Sequence, residues 1–317
     1  MGVLDSHTVS PLPACGERVR VRGRGVSAAS FRLRWRFWEN DQQTQPDLAA
    51  TDMTSPAPNP PSPAPIRHVP EDMTACVRAE VTLGELQREL GRRGQWLPVD
   101  PPATMTIRDV LDSNASGPRR YGYGTVREHL IGIRVRLPNG QEIRSGGQVV
   151  KNVAGYDLGK LFIGAQGRLG VITEATFKLR PRPAVERFVH ADGRSWDEVA
   201  ALLEAVAAAP VMPVVFDLVS PGRVVLGFAG TAAEVEWQLA EVARLGFTAP
   251  ANLDYVHSLP RRASVLPSKL VETLRELRPA AFIARAGNGV IEYRGGEEWP
   301  VTSAPAELCA RLEAAFR

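Results

Sequence analysis

Cysteine is scarce in this chain: Cys15, Cys76 and Cys309 are the only three among 317 residues, and no CxxC spacing occurs. That excludes a zinc ribbon and an iron–sulfur cluster encoded by the chain, and it fits a reducing cytoplasm. No apolar run is long enough to span a bilayer, and no charged–apolar–small pattern opens the sequence. Neither sign of charge dominates. The net charge of +3 is far from the balance of a nucleic-acid-binding domain, so no nucleic-acid partner is expected. No GxSxG or HExxH occurs and no nucleophile–base constellation forms. His68, His129, His190 and His257 stand isolated, with no metal-ligand spacing, and only His129 lies near the glycine-rich loops. There is no repeat of solenoid type. No catalytic residue and no metal ligand is assigned from the sequence.

Glycine is present in quantity, in two dense clusters. Ser145-Gly146-Gly147-Gln148-Val149-Val150-Lys151-Asn152-Val153-Ala154-Gly155-Tyr156-Asp157-Leu158 is followed by Gly164-Ala165-Gln166-Gly167-Arg168-Leu169-Gly170-Val171-Ile172-Thr173. Such backbone turns sharply or lies close against something. The second cluster enters a strand rather than leaving one for a helix, so a Rossmann reading fails its structural test. Lys151 to Leu158 reads either as a loop set against a cofactor or as a tight turn with local ion pairs.

The texture divides the chain at 1–65, 66–184 and 185–317. The first part is an Arg- and Pro-rich leader. Arg18, Arg20, Arg22, Arg24, Arg32, Arg34 and Arg36 run without an intervening acid, and Ser55 to Pro65 is proline-rich and poorly packing. In the second part, alternation predicts a strand over Thr74–Val81. Thr82 with Glu85 predicts a capped helix stopped at Gly94. Pro98, Pro101 and Pro102 force an extended loop. Ile131 to Arg144 reads as a hairpin turning at Pro138-Asn139-Gly140, and Val171 to Leu179 as a further strand. The third part reads β-α-β-β-α, with capping boxes at Ser195/Glu198 and Thr231/Glu234. That order suggests a ferredoxin-like unit, followed by one more hairpin at Phe282–Tyr293 and a helix from Pro305. The fold class is α+β.

Thr106-Ile107-Arg108-Asp109 leads into Ser113-Asn114-Ala115-Ser116-Gly117-Pro118-Arg119-Arg120. Small polar residues before a glycine leave backbone amides free to face a phosphate or a flavin edge. Arg119 and Arg120 suit an anion, or simply a solvated basic turn.

Taken together, these segments resemble the FAD-binding half of the vanillyl-alcohol-oxidase-type (PCMH-type) flavoproteins, and within them the FAD-binding E subunits of glycolate oxidase (glycolate dehydrogenase). The likeness runs from about His68 to Pro183, through Glu71-Asp72-Met73-Thr74, Gln95 to Pro101, Gly117 to Arg120, Tyr123 to Arg127, Gly146 to Leu158 and Leu169 to Thr173. It implies the second half of a PCMH-type FAD-binding domain followed by an α+β cap, with FAD as prosthetic group. Pro101, Pro102, Ser113, Asn114, Ala115, Ser116 and Gly117 would line the flavin, and Gly170, Val171 and Ile172 would give it backbone contacts. The implied activity is oxidation of a small 2-hydroxy acid such as glycolate. Electrons would pass to partner subunits, a flavin catalytic subunit and an iron–sulfur subunit, in the cytoplasm, with any membrane association made through those partners.

Three departures from the family pattern stand out. The glycine-rich loop that wraps the pyrophosphate upstream of Glu71 is replaced by the proline-rich leader. The Gly-Gly pair after Thr106-Ile107 is Arg108-Asp109, whose side chains are expected to hinder close approach, with Asp109 and Asp112 repelling a diphosphate. The chain stops at Arg317, before the family's closing segment. The alternative is therefore a cofactor-free structural subunit of a glycolate-oxidase-like complex.

Overall fold

The computed structural model describes residues 64–147, 158–254, 259–300, and 310, 311 and 314. The leader, Lys151 to Asp157, His257 and most of the segment after Pro300 lie outside the described residues.

The first sheet is built from β1 (Ile66–Val69), β2 (Thr74–Arg78), β4 (Leu130–Arg136), β5 (Glu142–Gly146) and β6 (Val171–Lys178), in the order β1-β2-β6-β4-β5, all antiparallel. A two-stranded ribbon, β3 (Gln95–Trp96) with β7 (Arg180–Pro181), lies beside it. Helix α1 (Leu83–Gly91) starts as expected: Thr82 Oγ1 accepts the amide of Glu85, and the Glu85 carboxylate accepts the amide of Thr82. Its Leu83, Leu86 and Leu90 are buried against Ala75, Val77 and Phe177 of the sheet in one apolar core.

The expected strand Thr74–Val81 ends at Arg78 because the next residues find another partner. The carbonyls of Ala79 and Val81 accept the amides of Arg108 and Ile107. Those amides open α2 (Ile107–Ser113), a helix not anticipated from the sequence. Thr106 and Asp109 form its capping box, so Asp109 is a helix cap. Arg108 donates Nε to the carbonyl of Ile172 at 3.0 Å, tying α2 to β6. Short helices α3 (Arg120–Tyr123), α4 (Val126–His129) and α5 (Gly159–Phe162) complete this part.

The second sheet has seven strands: β8 (Val185–Asp192), β9 (Val215–Val219), β10 (Arg223–Gly230), β11 (Ala249–Pro250), β12 (Arg261–Ser264), β13 (Ala281–Arg285) and β14 (Val290–Arg294), in the order β11-β8-β10-β9-β13-β14-β12. Helices α6 (Trp196–Ala208) and α7 (Ala232–Ala243) connect strands that lie two places apart. The strands β11-β8-β10-β9 thus take the order of a ferredoxin-like β-α-β-β-α-β unit. Beyond β9 the sheet continues through β13, β14 and β12, and α8 (Leu270–Leu277) joins α6 and α7 on one face. Phe216, Leu218, Phe282, Ala284, Ile291 and Tyr293 point into that helix-covered core. Alternation sends Asp217, Ile283, Arg285 and Glu292 to the opposite face.

Both sheets belong to one compact unit. The segment Arg119–Tyr123 joins them. Gly122 donates its amide to the carbonyl of Val214 at 3.1 Å, and the Tyr121 ring meets Phe216 edge-on at 5.7 Å between centroids. Among the described residues no helix is long and apolar enough to cross a membrane.

Candidate functional site

Between the C-terminal end of α2 and the second sheet lies a cavity of about 310 Å³. Its floor is chain from two loops. Pro101 and Pro102 come from the extended segment forced by the prolines. Ser113 to Gly117 come from the end of α2 and the residues after it. Asn114 ends the helix in a left-handed conformation, φ 48°, which an asparagine tolerates better than most residues and which turns the chain sharply into Ala115. Seven of the ten residues expected from the sequence therefore meet at one place.

The remaining three do not line this cavity. Ile172 is buried in the core of the first sheet and Val171 is exposed. Gly170 lies against β4, where an added Cβ would come within 2.7 Å of Val135 Cγ1 and 2.9 Å of the Arg136 carbonyl. Its φ of +154° suits glycine, and its place is a packing one.

The cavity also has walls that the sequence did not announce: Asp100, Met105, Arg262 and Glu292. Arg262 (β12) and Glu292 (β14) are directly opposite each other in the ladder. A signal for Glu292 exists in the sequence, a carboxylate between apolar neighbours in Val290-Ile291-Glu292-Tyr293. Its destination depends on a sheet more than a hundred residues from α2.

Charge around the cavity is arranged by Arg119, Arg120 and Asp100. The sequence left Arg119 either available to an anion or part of a solvated basic turn. It is neither: it is committed to Glu186 of β8 through two hydrogen bonds, and it sits over the rings of Trp96 and Phe188. Burial alone would lower its pKa. The hydrogen bonds and charge of Glu186, with Asp100 behind them, outweigh burial and raise it. Asp100 is raised too, chiefly by burial. The two directions conflict for a simple ion pair, and geometry resolves the conflict. Asp100 receives the Arg119 amide at 3.1 Å but only a long 3.4 Å contact from the guanidinium. Desolvation therefore governs Asp100.

Arg120 donates Nη1 to Ser116 Oγ at 3.3 Å. Its pKa is lowered by burial first, then by the like charge of Arg262, with Glu128 opposing and Arg285 adding to the effect. Arg285 itself pairs with Asp217. The site thus brings Arg120 and Arg262 close with no carboxylate ion pair to either among the described residues. His129, the last residue of α4, is buried with Nε2 on the Tyr123 carbonyl, and it does not line the cavity.

The residues present fit a flat heteroaromatic group carrying both donors and acceptors. Asn114 Oδ1 is buried without a hydrogen-bond partner. The amides of Ser116 and Gly117 donate to no group among the described residues. A Cβ on Gly117 would come within 2.8 Å of Asp100 Cγ and 2.9 Å of the Asp100 carbonyl. The pyrimidine edge of an isoalloxazine offers the matching N–H and carbonyl groups. At about 310 Å³ the space is at the low end of ligand pockets, about 300–1,000 Å³, so it suits one end of a dinucleotide.

Comparison with known proteins gives the cofactor a name. The family model described as "FAD binding domain" matches residues 65–146. Glycolate oxidase subunit GlcD of Bacillus subtilis is 37% identical over 145 residues, covering 45% of this chain and 31% of that protein. Glycolate oxidase subunit GlcE of Escherichia coli is 37% identical over 121 residues, covering 37% of this chain and 35% of that protein. The mitochondrial D-lactate dehydrogenase [cytochrome] of Arabidopsis thaliana is 38% identical over 113 residues, covering 36% and 20%. The chain therefore spans about a third or less of the length of these curated relatives. Among solved structures, an alkyldihydroxyacetonephosphate synthase superposes with a TM-score of 0.56 at 16% identity, covering 78% of this chain and 62% of that one, which shows a shared fold.

Proposed function

We propose that the chain is an FAD-binding oxidoreductase subunit that contributes to oxidation of a small 2-hydroxy acid, with electrons passing to partner subunits. The reading rests on the cavity in which Pro101, Pro102 and Ser113 to Gly117 converge inside the segment matching an FAD-binding domain. The names of the relatives add the substrate class. Glycolate and D-lactate both carry a hydroxyl on the carbon next to a carboxylate.

Bound FAD would supply a two-electron acceptor. The protein's part is placement. Asn114 Oδ1 would accept from the cofactor's N–H, and the amides of Ser116 and Gly117 would donate to its carbonyl oxygens. Gly117, having no Cβ, lets the Asp100 segment pack directly against this loop. Pro101 and Pro102 hold the floor stiff, since proline fixes φ. Arg119, through Glu186, holds this loop to the second sheet, whose β12 and β14 bring Arg262 and Glu292 to the cavity wall. The partners would be a flavin-bearing catalytic subunit and an iron–sulfur subunit, in the cytoplasm.

Purified protein decides the matter. Flavin absorbance that survives desalting is the expected result. A colourless, folded protein that co-purifies with a flavoprotein would instead establish the cofactor-free structural subunit.

A further inference from the structure

We propose that Glu292 is the proton acceptor for the substrate hydroxyl in this cavity, an inference that rests on the flavin reading above. Ile291 and Tyr293 on either side of it are buried in the helix-side core, so the alternation of β14 turns Glu292 to the cavity face. Its Oε2 is buried and has no hydrogen-bond partner. A buried carboxylate oxygen left unsatisfied is costly, and a hydrogen-bond donor entering the cavity would relieve that cost.

Asp100 Oδ2 accepts the amide and Nη1 of Arg119. Among the described residues no histidine lines the cavity: His129 is tied to the Tyr123 carbonyl and His68 to Gln95. Across the ladder stands Arg262, which forms no ion pair with Glu292. Directly opposed residues hold their Cβ atoms about 4.5–5.5 Å apart. Arg262 and Glu292 therefore leave one face of the sheet, and both line the cavity. A 2-hydroxy acid presents the complementary pair, a carboxylate for Arg262 and an O–H for Glu292 on adjacent carbons.

In the step proposed, the hydroxyl proton passes to Glu292 Oε2 as the carbon–oxygen double bond forms. The C2–H bond would break with its hydrogen and both electrons taken up by bound FAD, the 2-oxo acid would leave, and Glu292 would return its proton to water.

The test uses the protein as purified with its flavin. Glycolate and D-lactate are mixed with it under anaerobic conditions and flavin bleaching is followed. Glu292→Gln should keep its flavin and slow bleaching by about 10²- to 10⁴-fold, the usual range for loss of a general base, with Glu292→Asp intermediate. A binding measurement independent of turnover accompanies it. By calorimetry wild type should bind glycolate about 10- to 100-fold more tightly than acetate, which lacks the hydroxyl, and Glu292→Leu should abolish that preference. Bleaching of Glu292→Gln at the wild-type rate, or an undiminished preference for glycolate in Glu292→Leu, overturns the assignment while leaving the proposed function standing. Wild type that holds flavin yet is bleached by neither acid overturns the proposed function and the assignment together.

Discussion

Arg119 grips Glu186 with two parallel hydrogen bonds, Nε to Oε1 at 2.8 Å and Nη2 to Oε2 at 2.6 Å, across 67 residues of sequence. The pair is mostly shielded, at 18% and 24% side-chain exposure, and it joins the loop of the candidate flavin site to the first strand of the second sheet. Removing one partner of such a pair strands the other charge. Arg119→Ala should lower unfolding stability by about 3 kcal/mol, the low end for broken buried pairs. Arg119→Lys should recover little of it, because an ammonium cannot reproduce the fork. Chemical denaturation of the three proteins is the check, and equal midpoints would show that the pair contributes nothing.

Gly287 and Tyr121 form a second contact between the two parts. A Cβ on Gly287 would fall 2.0 Å from Tyr121 Cε2, so Gly287→Ala should destabilise by about 1–3 kcal/mol through overpacking. Tyr121→Ala removes the obstructing ring. The double variant should then be more stable than the sum of the single effects, with a coupling above about 0.5 kcal/mol in a double-mutant cycle. Strict additivity would mean that the two residues do not meet.

Gly117 and Gly170 should separate function from packing. Gly117→Ala forces the Asp100 loop to shift, and it should lose flavin while its circular dichroism spectrum stays native. Gly170→Ala presses on Val135 and on the Arg136 carbonyl, so it should lower the unfolding midpoint before flavin content changes. Flavin absorbance and thermal melts on the same samples distinguish the two. Loss of fold in Gly117→Ala, or flavin loss without destabilisation in Gly170→Ala, would reverse the two roles.

His129 should make the protein acid-sensitive. Its pKa is lowered from 6.5, chiefly by burial, with Lys178 and Arg180 acting the same way against the Tyr123 carbonyl and Glu128. For a base whose folded pKa lies below the unfolded one, the stabilising contribution is present above the unfolded value. It is lost as pH falls through 6.5 towards the folded value. Urea midpoints measured from pH 8 down to 5 should decline below about pH 6.5. His129→Gln should start lower and decline less steeply, and parallel curves for the two proteins would remove His129 as the cause.

Much of the local structure is legible because it depends on residues within one turn of each other. Thr82 with Glu85 and Thr231 with Glu234 close capping boxes over three residues, and each opens a helix at the position its spacing predicts. The same rule holds at Thr106 and Asp109, where α2 begins. Its signature is harder to read there, because the usual reciprocal cap is glutamate or glutamine and aspartate takes that part instead. Alternation likewise foretells the hairpin of β13 and β14.

Within the candidate site, the chain by itself determined the small-residue loop: Ser113 to Gly117 without bulk, and prolines at 101 and 102 that permit little but an extended course. Tertiary structure alone decided what faces that loop. Arg262 and Glu292 reach it from a different sheet, and Arg119 finds its partner on β8. Torsional and capping preferences are short-ranged and written in neighbouring residues. The pairing of a buried guanidinium, or the aim of a carboxylate along a strand, is settled only when separate apolar faces bury against each other and leave each polar group the company that packing allows.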